Sequence, residues 1–202
     1  MRRAIFVTPL VLGFVAAAAT PSYADCTCSV AKVKNGWCKD CKVGYFATVK
    51  TKSKKLFEAL DGHDVDADAI KCGLCKKAFE SDGYCPDCKL GFVGKKKNHS
   101  TFAYHLAGGK VKDASGIKCS TCKKNAESHG WCDACGIGMA GHLAYKDKKM
   151  YKLAATALDI VTSAAKAATK CVPCAVAMVT NGTCDACDVA YKDGEKIATK
   201  TP

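Results

Sequence analysis

The sequence predicts an α+β chain: four small β-hairpin modules joined by short helices, with a longer alanine-rich helix between modules three and four. Three observations predict it. A four-cysteine unit recurs four times, a turn signal falls in register inside each unit, and a helix-start residue follows each of the first three at a fixed distance. Sixteen cysteines in 202 residues, with few aromatic residues, point to small cross-linked units rather than one large apolar core.

The repeat reads Cys72-x2-Cys75-x9-Cys85-x2-Cys88, then Cys119-x2-Cys122-x9-Cys132-x2-Cys135, then Cys171-x2-Cys174-x9-Cys184-x2-Cys187. The first copy, Cys26-x-Cys28-x9-Cys38-x2-Cys41, is one residue short in its first pair. Third cysteines are spaced by 47, 47 and 52 residues, and all sixteen cysteines are used. Within the nine-residue gaps stand Asn35-Gly36, Asp82-Gly83, His129-Gly130 and Asn181-Gly182, which suit a tight hairpin turn. On this reading the hairpin brings the two cysteine pairs together. Trp37, Tyr84, Trp131 and Thr183 follow the glycines. Val43-Gly44-Tyr45, Leu90-Gly91-Phe92, Ile137-Gly138-Met139 and Val189-Ala190-Tyr191 follow the fourth cysteines, as a small apolar cap and a third short strand.

Twelve residues after the fourth cysteine come Ser53, Ser100 and Asp147, all favourable helix N-caps. Phe57, Tyr104 and Tyr151 occupy one matching helical position, and Gly62 and Gly108-Gly109 stop the first two helices. The third connector has no such stop. Met150, Ala154, Ala157, Leu158, Val161, Ala165 and Ala168 form one stripe of a helix about twenty residues long, expected to join the third and fourth modules.

The domain plan is therefore a signal peptide over 1–24, module 1 over 25–52 and a helical connector over 53–70. Module 2 spans 71–99, a second connector 100–117 and module 3 118–146. The long helix covers 147–169 and module 4 170–202. In the leader, Arg2 and Arg3 precede an apolar run from Ala4 to Ala19 and a small-x-small site, Ser22-Tyr23-Ala24. Cleavage near Ala24 and a periplasmic or other extracytoplasmic location follow. No later segment is apolar enough to span a membrane.

The formal charge of +12 suggests a nucleic-acid partner until two corrections are made. Two of the 31 basic residues lie in the leader, which leaves 29 against 19 acids, a net +10, and four zinc tetrathiolates of −2 each would bring that to +2. Lysines such as Lys39, Lys76, Lys123 and Lys170 stand beside cysteines, where a cation favours thiolate. The expected partner is another protein, with no nucleic acid and no small-molecule substrate.

Two Cys-x2-Cys pairs can place four sulfurs around one Zn²⁺, so all sixteen cysteines, Cys26 to Cys187, are candidate metal ligands. The stretch Cys72 to Cys88 with Asp82-Gly83-Tyr84-Cys85-Pro86, and its counterparts, resembles the zinc-ribbon family in its tandem double form. That resemblance covers about half of the mature chain and implies up to four structural Zn(Cys)₄ sites, the shortened first being the departure. Alternatives are a disulfide-stabilised scaffold, a rubredoxin-like Fe(Cys)₄ electron carrier and a buffer for soft ions such as Cu(I) or Hg²⁺.

No catalytic residue is nominated. Trp37-Cys38-Lys39-Asp40-Cys41 and Trp131-Cys132-Asp133-Ala134-Cys135 resemble the thioredoxin WCxxC motif but lack its βαβ frame. His63, His99, His105, His129 and His142 show no ligand spacing, and Asp64, Asp66 and Asp68 read as a solvated loop.

Overall fold

The computed structural model describes residues 28–112 and 114–197, so the leader and Cys26 lie outside the described residues. Each module repeats one order: a short helix, a strand, a turn and two more strands. The opening helices are α1 (Cys28–Lys34), α3 (Gly73–Glu80), α5 (Ser120–Glu127) and α7 (Val172–Thr180). The connecting helices are α2 (Lys54–Asp61), α4 (Thr101–Ala107) and α6 (Lys148–Ala167).

Four small antiparallel sheets carry the modules. Module 1 has β1 (Gly36–Cys38), β2 (Val43–Phe46) and β3 (Val49–Thr51) in that order. Module 2 has β5 (Tyr84–Cys85), β6 (Leu90–Val93) and β7 (Lys96–Asn98), and the preceding connector adds β4 (His63–Asp64) at the edge, in the order β4-β7-β6-β5. Module 3 has β9 (His129–Cys132), β10 (Ile137–Ala140) and β11 (Leu143–Tyr145), and the preceding connector adds β8 (Lys110–Val111) at the edge, in the order β8-β11-β10-β9. Module 4 has β12 (Thr183–Cys184), β13 (Val189–Lys192) and β14 (Glu195–Ile197) in sequence.

The nine-residue gap corrects the sequence reading. It is a helix followed by a strand, not a hairpin. Asn35, Asp82 and Asn181 do take the left-handed conformation, with φ of 52°, 49° and 53°, but they do so where the helix ends. Gly83 N–H then donates to the Ala78 carbonyl at 2.7 Å, and Gly182 N–H to that of Ala177 at 2.9 Å, the pattern that closes a helix C-terminus. Left-handed Asx followed by Gly serves a hairpin turn and a helix stop equally, and here the preceding residues decide: Cys75 and Ala78 bury one side of a helical turn. The hairpins lie elsewhere, at the third-to-fourth cysteine turn and at the tips after Phe46, Val93, Ala140 and Lys192.

The Asx side chains also tie helix end to hairpin tip. Asn35 Oδ1 accepts from Ala47 N–H at 2.8 Å, Asp82 Oδ1 from Gly94 N–H at 2.8 Å, and Asn181 Oδ1 from Asp193 N–H at 2.7 Å. Module 3 has His129 at this register, and the Ser128 carbonyl takes over, accepting from Gly141 N–H at 2.9 Å.

The connecting helices start where the sequence places them. Ser53, Ser100 and Asp147 accept from the N–H of Leu56, Ala103 and Met150. Helix α6 runs twenty residues, as expected, but joins more than modules three and four. One apolar core gathers Phe46 and Leu60 from the first module and its connector, Phe102 and Leu106 from α4, Leu143 and Tyr145 from β11, and Ala175 and Val179 from α7 around it. Ala154, Ala157 and Ala164 are fully buried, and such small side chains let neighbouring backbones approach α6 closely. The stretch read as a loop at Asp64–Asp68 carries β4 and a 3-10 turn (Ala67–Ala69) capped by Asp66, which accepts from Asp68 N–H. Among the described residues, no helix is long and apolar enough to cross a membrane.

Candidate metal centres

The sulfurs of Cys72, Cys75, Cys85 and Cys88 lie within 4.8 Å of one another, as do those of Cys119, Cys122, Cys132 and Cys135, and those of Cys171, Cys174, Cys184 and Cys187. A fourth group holds Cys28, Cys38 and Cys41. Fifteen of the sixteen candidate ligands are thus brought together in four clusters, and Cys26 lies outside the described residues.

Each tetrad has two sources. The first cysteine (Cys72, Cys119 or Cys171) is the N-cap of the opening helix, and the second sits one turn in, where backbone N–H groups and the positive end of the helix face the sulfurs. The third cysteine ends a strand and the fourth follows in a tight turn, with Cys135 N–H donating to the Cys132 carbonyl at 3.3 Å and Cys187 N–H to that of Cys184 at 3.2 Å. The residue after the fourth cysteine reverses the chain in the left-handed region: Lys42, Lys89, Gly136 and Asp188 have φ of 51°, 53°, 60° and 48°.

The distances test whether these groups fit an ion. A tetrahedron with metal–sulfur bonds of about 2.3 Å has sulfur–sulfur edges of about 3.8 Å. Cys72 and Cys85 are 4.0 Å apart, Cys119 and Cys132 3.8 Å, Cys171 and Cys184 3.8 Å, and Cys171 and Cys187 3.7 Å. A disulfide would need about 2.05 Å. These four separations match the edges of a metal tetrathiolate and are far longer than a disulfide bond, so the tetrads could hold a metal ion.

Electrostatics within a tetrad separate its members. The backbone N–H of Cys75 draws the Cys72 thiol down to about 7, and those of Cys122 and Cys174 do the same to Cys119 and Cys171. Burial pushes Cys75 strongly upward and Cys122 to about 12. Without an ion, one thiolate at the helix N-terminus is favoured and its buried neighbour stays protonated. A dication makes four thiolates compatible by supplying the missing charge. In module 4, Tyr191 is buried in one small cluster with Cys174 and Cys184, beside candidate ligands, where the sequence reading has it only as part of the apolar cap. Its buried phenol is pushed up to about 12.

The histidines gather no comparable donor set among the described residues. His63 and His99 stack with ring centroids 5.7 Å apart, and His129 Nε2 lies 3.5 Å from Asp159 Oδ2. The aromatic residues after the glycines brace the connecting helices: Trp37 packs on Phe57, Tyr84 on Tyr104 and Trp131 on Tyr151, with centroids 5.7 to 5.8 Å apart. The chain carries tandem cysteine clusters suited to metal, and no family model, curated protein or solved structure gives a significant match to it.

Proposed function

We propose that the chain is an exported, non-enzymatic protein in which structural zinc ions rigidify four modules, and that it works outside the cytoplasm as a binding or scaffolding component. The observation that supports this most is the division of ligands within each tetrad: two from a helix N-terminus, two from a strand and its turn. An ion there joins the two elements of a module. A module of about 47 residues gains most from such a staple, because a structural zinc site supplies on the order of 10 kcal/mol.

The test is elemental analysis, thiol counting and visible absorption on protein taken from its native compartment. Structural zinc gives four ions, or three with the first centre empty, no disulfide and no colour. Eight disulfides without metal would overturn the reading. A red, iron-containing sample would transfer it to electron transfer.

A second reading, soft-metal handling, is favoured by the exposure of Cys88, Cys135 and Cys187, which leaves one sulfur of each tetrad open to an incoming ligand. Rapid exchange of all four ions with a competing thiolate would favour it over a structural role.

A further inference from the structure

We propose that the sheet face of the fourth module is a docking seat for an acidic amphipathic helix of a partner protein, which takes the place that a connecting helix of this chain takes on the other three modules. The inference rests on the proposed binding role and names the surface and the partner's chemistry.

One row of residues crosses each sheet at the same register. In module 1 Trp37 pairs with Gly44 and Gly44 with Thr51. The row is Tyr84, Gly91 and Asn98 in module 2, and Trp131, Gly138 and Tyr145 in module 3. In module 4 it is Thr183, Ala190 and Ile197. Residues directly opposite across antiparallel strands share a face. On modules 1 to 3 this face carries α2, α4 and α6, whose Phe57, Tyr104 and Tyr151 lie against the middle glycine. There the row ends on a buried residue: Thr51 is 5% exposed, and Asn98 and Tyr145 4%. In module 4, Ile197 is 46% exposed, Thr183 is exposed and Ala190 is half-buried, and among the described residues no helix follows this sheet. Covering that apolar row removes it from water.

The row also defines the shape of what fits it. A Cβ on Gly44 or Gly91 would stand 2.7 Å from Phe57 or Tyr104, so the Ala190 methyl fills the space in which the other modules hold a ring. The docking helix therefore meets Ala190 with an alanine or aliphatic side chain. A second one, three or four residues along, reaches Ile197, because such neighbours are about 5–6 Å apart on a helix and cross-strand neighbours about 4.5–5.5 Å.

Charge sets the rest of the partner's chemistry. At Thr183 the seat opens into a cavity of about 620 Å³ between α7 and the start of α2, with Val172 and Val176 on one side and Lys54 and Lys55 on the other. A second cavity, of about 640 Å³, continues past Val172 to Lys50 and Lys52. No acidic residue lines either cavity, and Lys54 meets Glu58 at 3.4 Å in an exposed contact of little strength. At the opposite end of the seat, Lys192 and Glu195 face each other across the strands. The net positive end is thus the one beside α2, and carboxylates on the flank of the docking helix are complementary to it.

The experiment measures fluorescence anisotropy on the zinc-loaded protein with a labelled synthetic helix of about fifteen residues, the length at which an isolated helix begins to hold. It carries alanine and leucine on one face and glutamate on the other. Saturable one-to-one binding is expected. Ile197→Asp, which places a charge in the seat, should weaken it about tenfold or more. Lys54→Glu with Lys55→Glu should weaken it as well, and a helix with lysine in place of glutamate should bind that double variant better than it binds the unaltered protein. No saturation, equal binding of the two helices by the unaltered protein, or binding indifferent to Ile197→Asp would overturn the proposal. A dimer of the unaltered protein that Ile197→Asp dissociates would also overturn it, by giving the face to a second copy. A zinc-loaded protein that takes no helix defeats this inference alone, whereas a red, iron-containing protein defeats the binding role beneath it.

Discussion

Gly138 lies directly beneath the ring of Tyr151, so that a Cβ on the glycine would overlap the ring's Cγ and Cδ2. The relationship recurs. A Cβ on Gly91 would stand 2.7 Å from Tyr104, and one on Gly44 2.7 Å from Phe57. In each case the aromatic residue is on the connecting helix and the glycine on the middle strand, so the glycine seats the helix on its own sheet. Module 4 has Ala190 at this register and Thr183 where the others carry Trp or Tyr.

Gly138→Ala and Gly91→Ala should therefore each destabilise the protein, by about 1–3 kcal/mol, since the ring must shift against packed neighbours. Ala190→Gly, at the register without a helix aromatic, should cost no more than the ~1 kcal/mol of a strand glycine. Chemical denaturation of the three metal-loaded variants, compared by midpoint, checks the contrast.

The Asx side chains that link helix end to hairpin tip give a second expectation. Asn181→Ala removes the acceptor of Asp193 N–H and forces alanine into φ of 53°, which together should cost about 1–3 kcal/mol. Asn181→Gly keeps the backbone conformation and loses only the hydrogen bond, so it should cost less. Thermal unfolding of the pair separates the two contributions.

Much of this was legible in the sequence. Ser53, Ser100 and Asp147 marked helix starts because an N-cap is a local device, satisfied by a bond three residues away. The cysteine clusters were legible because a tetrad needs fixed spacing. The opening helices α1, α3, α5 and α7 were not, since a seven- to nine-residue helix leaves little periodicity and Asx-Gly fits two structures. The shared core was hidden for another reason: Phe46 and Val179 meet around α6 through contacts that no local pattern encodes.

Tyr145 provides a pH test. Its hydroxyl donates to the carbonyls of His105 at 3.1 Å and Leu106 at 3.0 Å, fixing the end of α4 to β11, and burial pushes its pKa above the usual 10. The folded state then holds this proton more tightly than the unfolded one, so the stability it contributes is complete below pH of about 10 and is lost as pH rises beyond. Tyr145→Phe should cost about 1 kcal/mol at neutral pH and remove that alkaline component. Denaturation midpoints between neutral and strongly alkaline pH would show the two curves converging.

Breaking one centre tests how far the modules depend on each other. Were stability a sum of modules and nearest neighbours, Cys132→Ser would melt module 3, loosen module 4 and leave module 2 intact. The core argues for a different spread. Leu143 and Tyr145 of module 3 pack with Phe102 and Leu106 of α4, and α6, which begins directly after module 3, packs on α4, β3 and α7. Loss of the third ion should therefore reduce hydrogen-exchange protection in α4, β3 and α7 as well as around Cys119 to Cys135. The separate small cluster of Ile70, Cys75, Ala78, Cys85 and Phe92, held by the second centre, should keep its protection. Exchange mass spectrometry on the zinc-loaded variant reads each segment. Protection lost only within module 3 would mean that the central helix does not couple the modules. Unchanged protection around Cys119 to Cys135 would mean that the third centre is not structural.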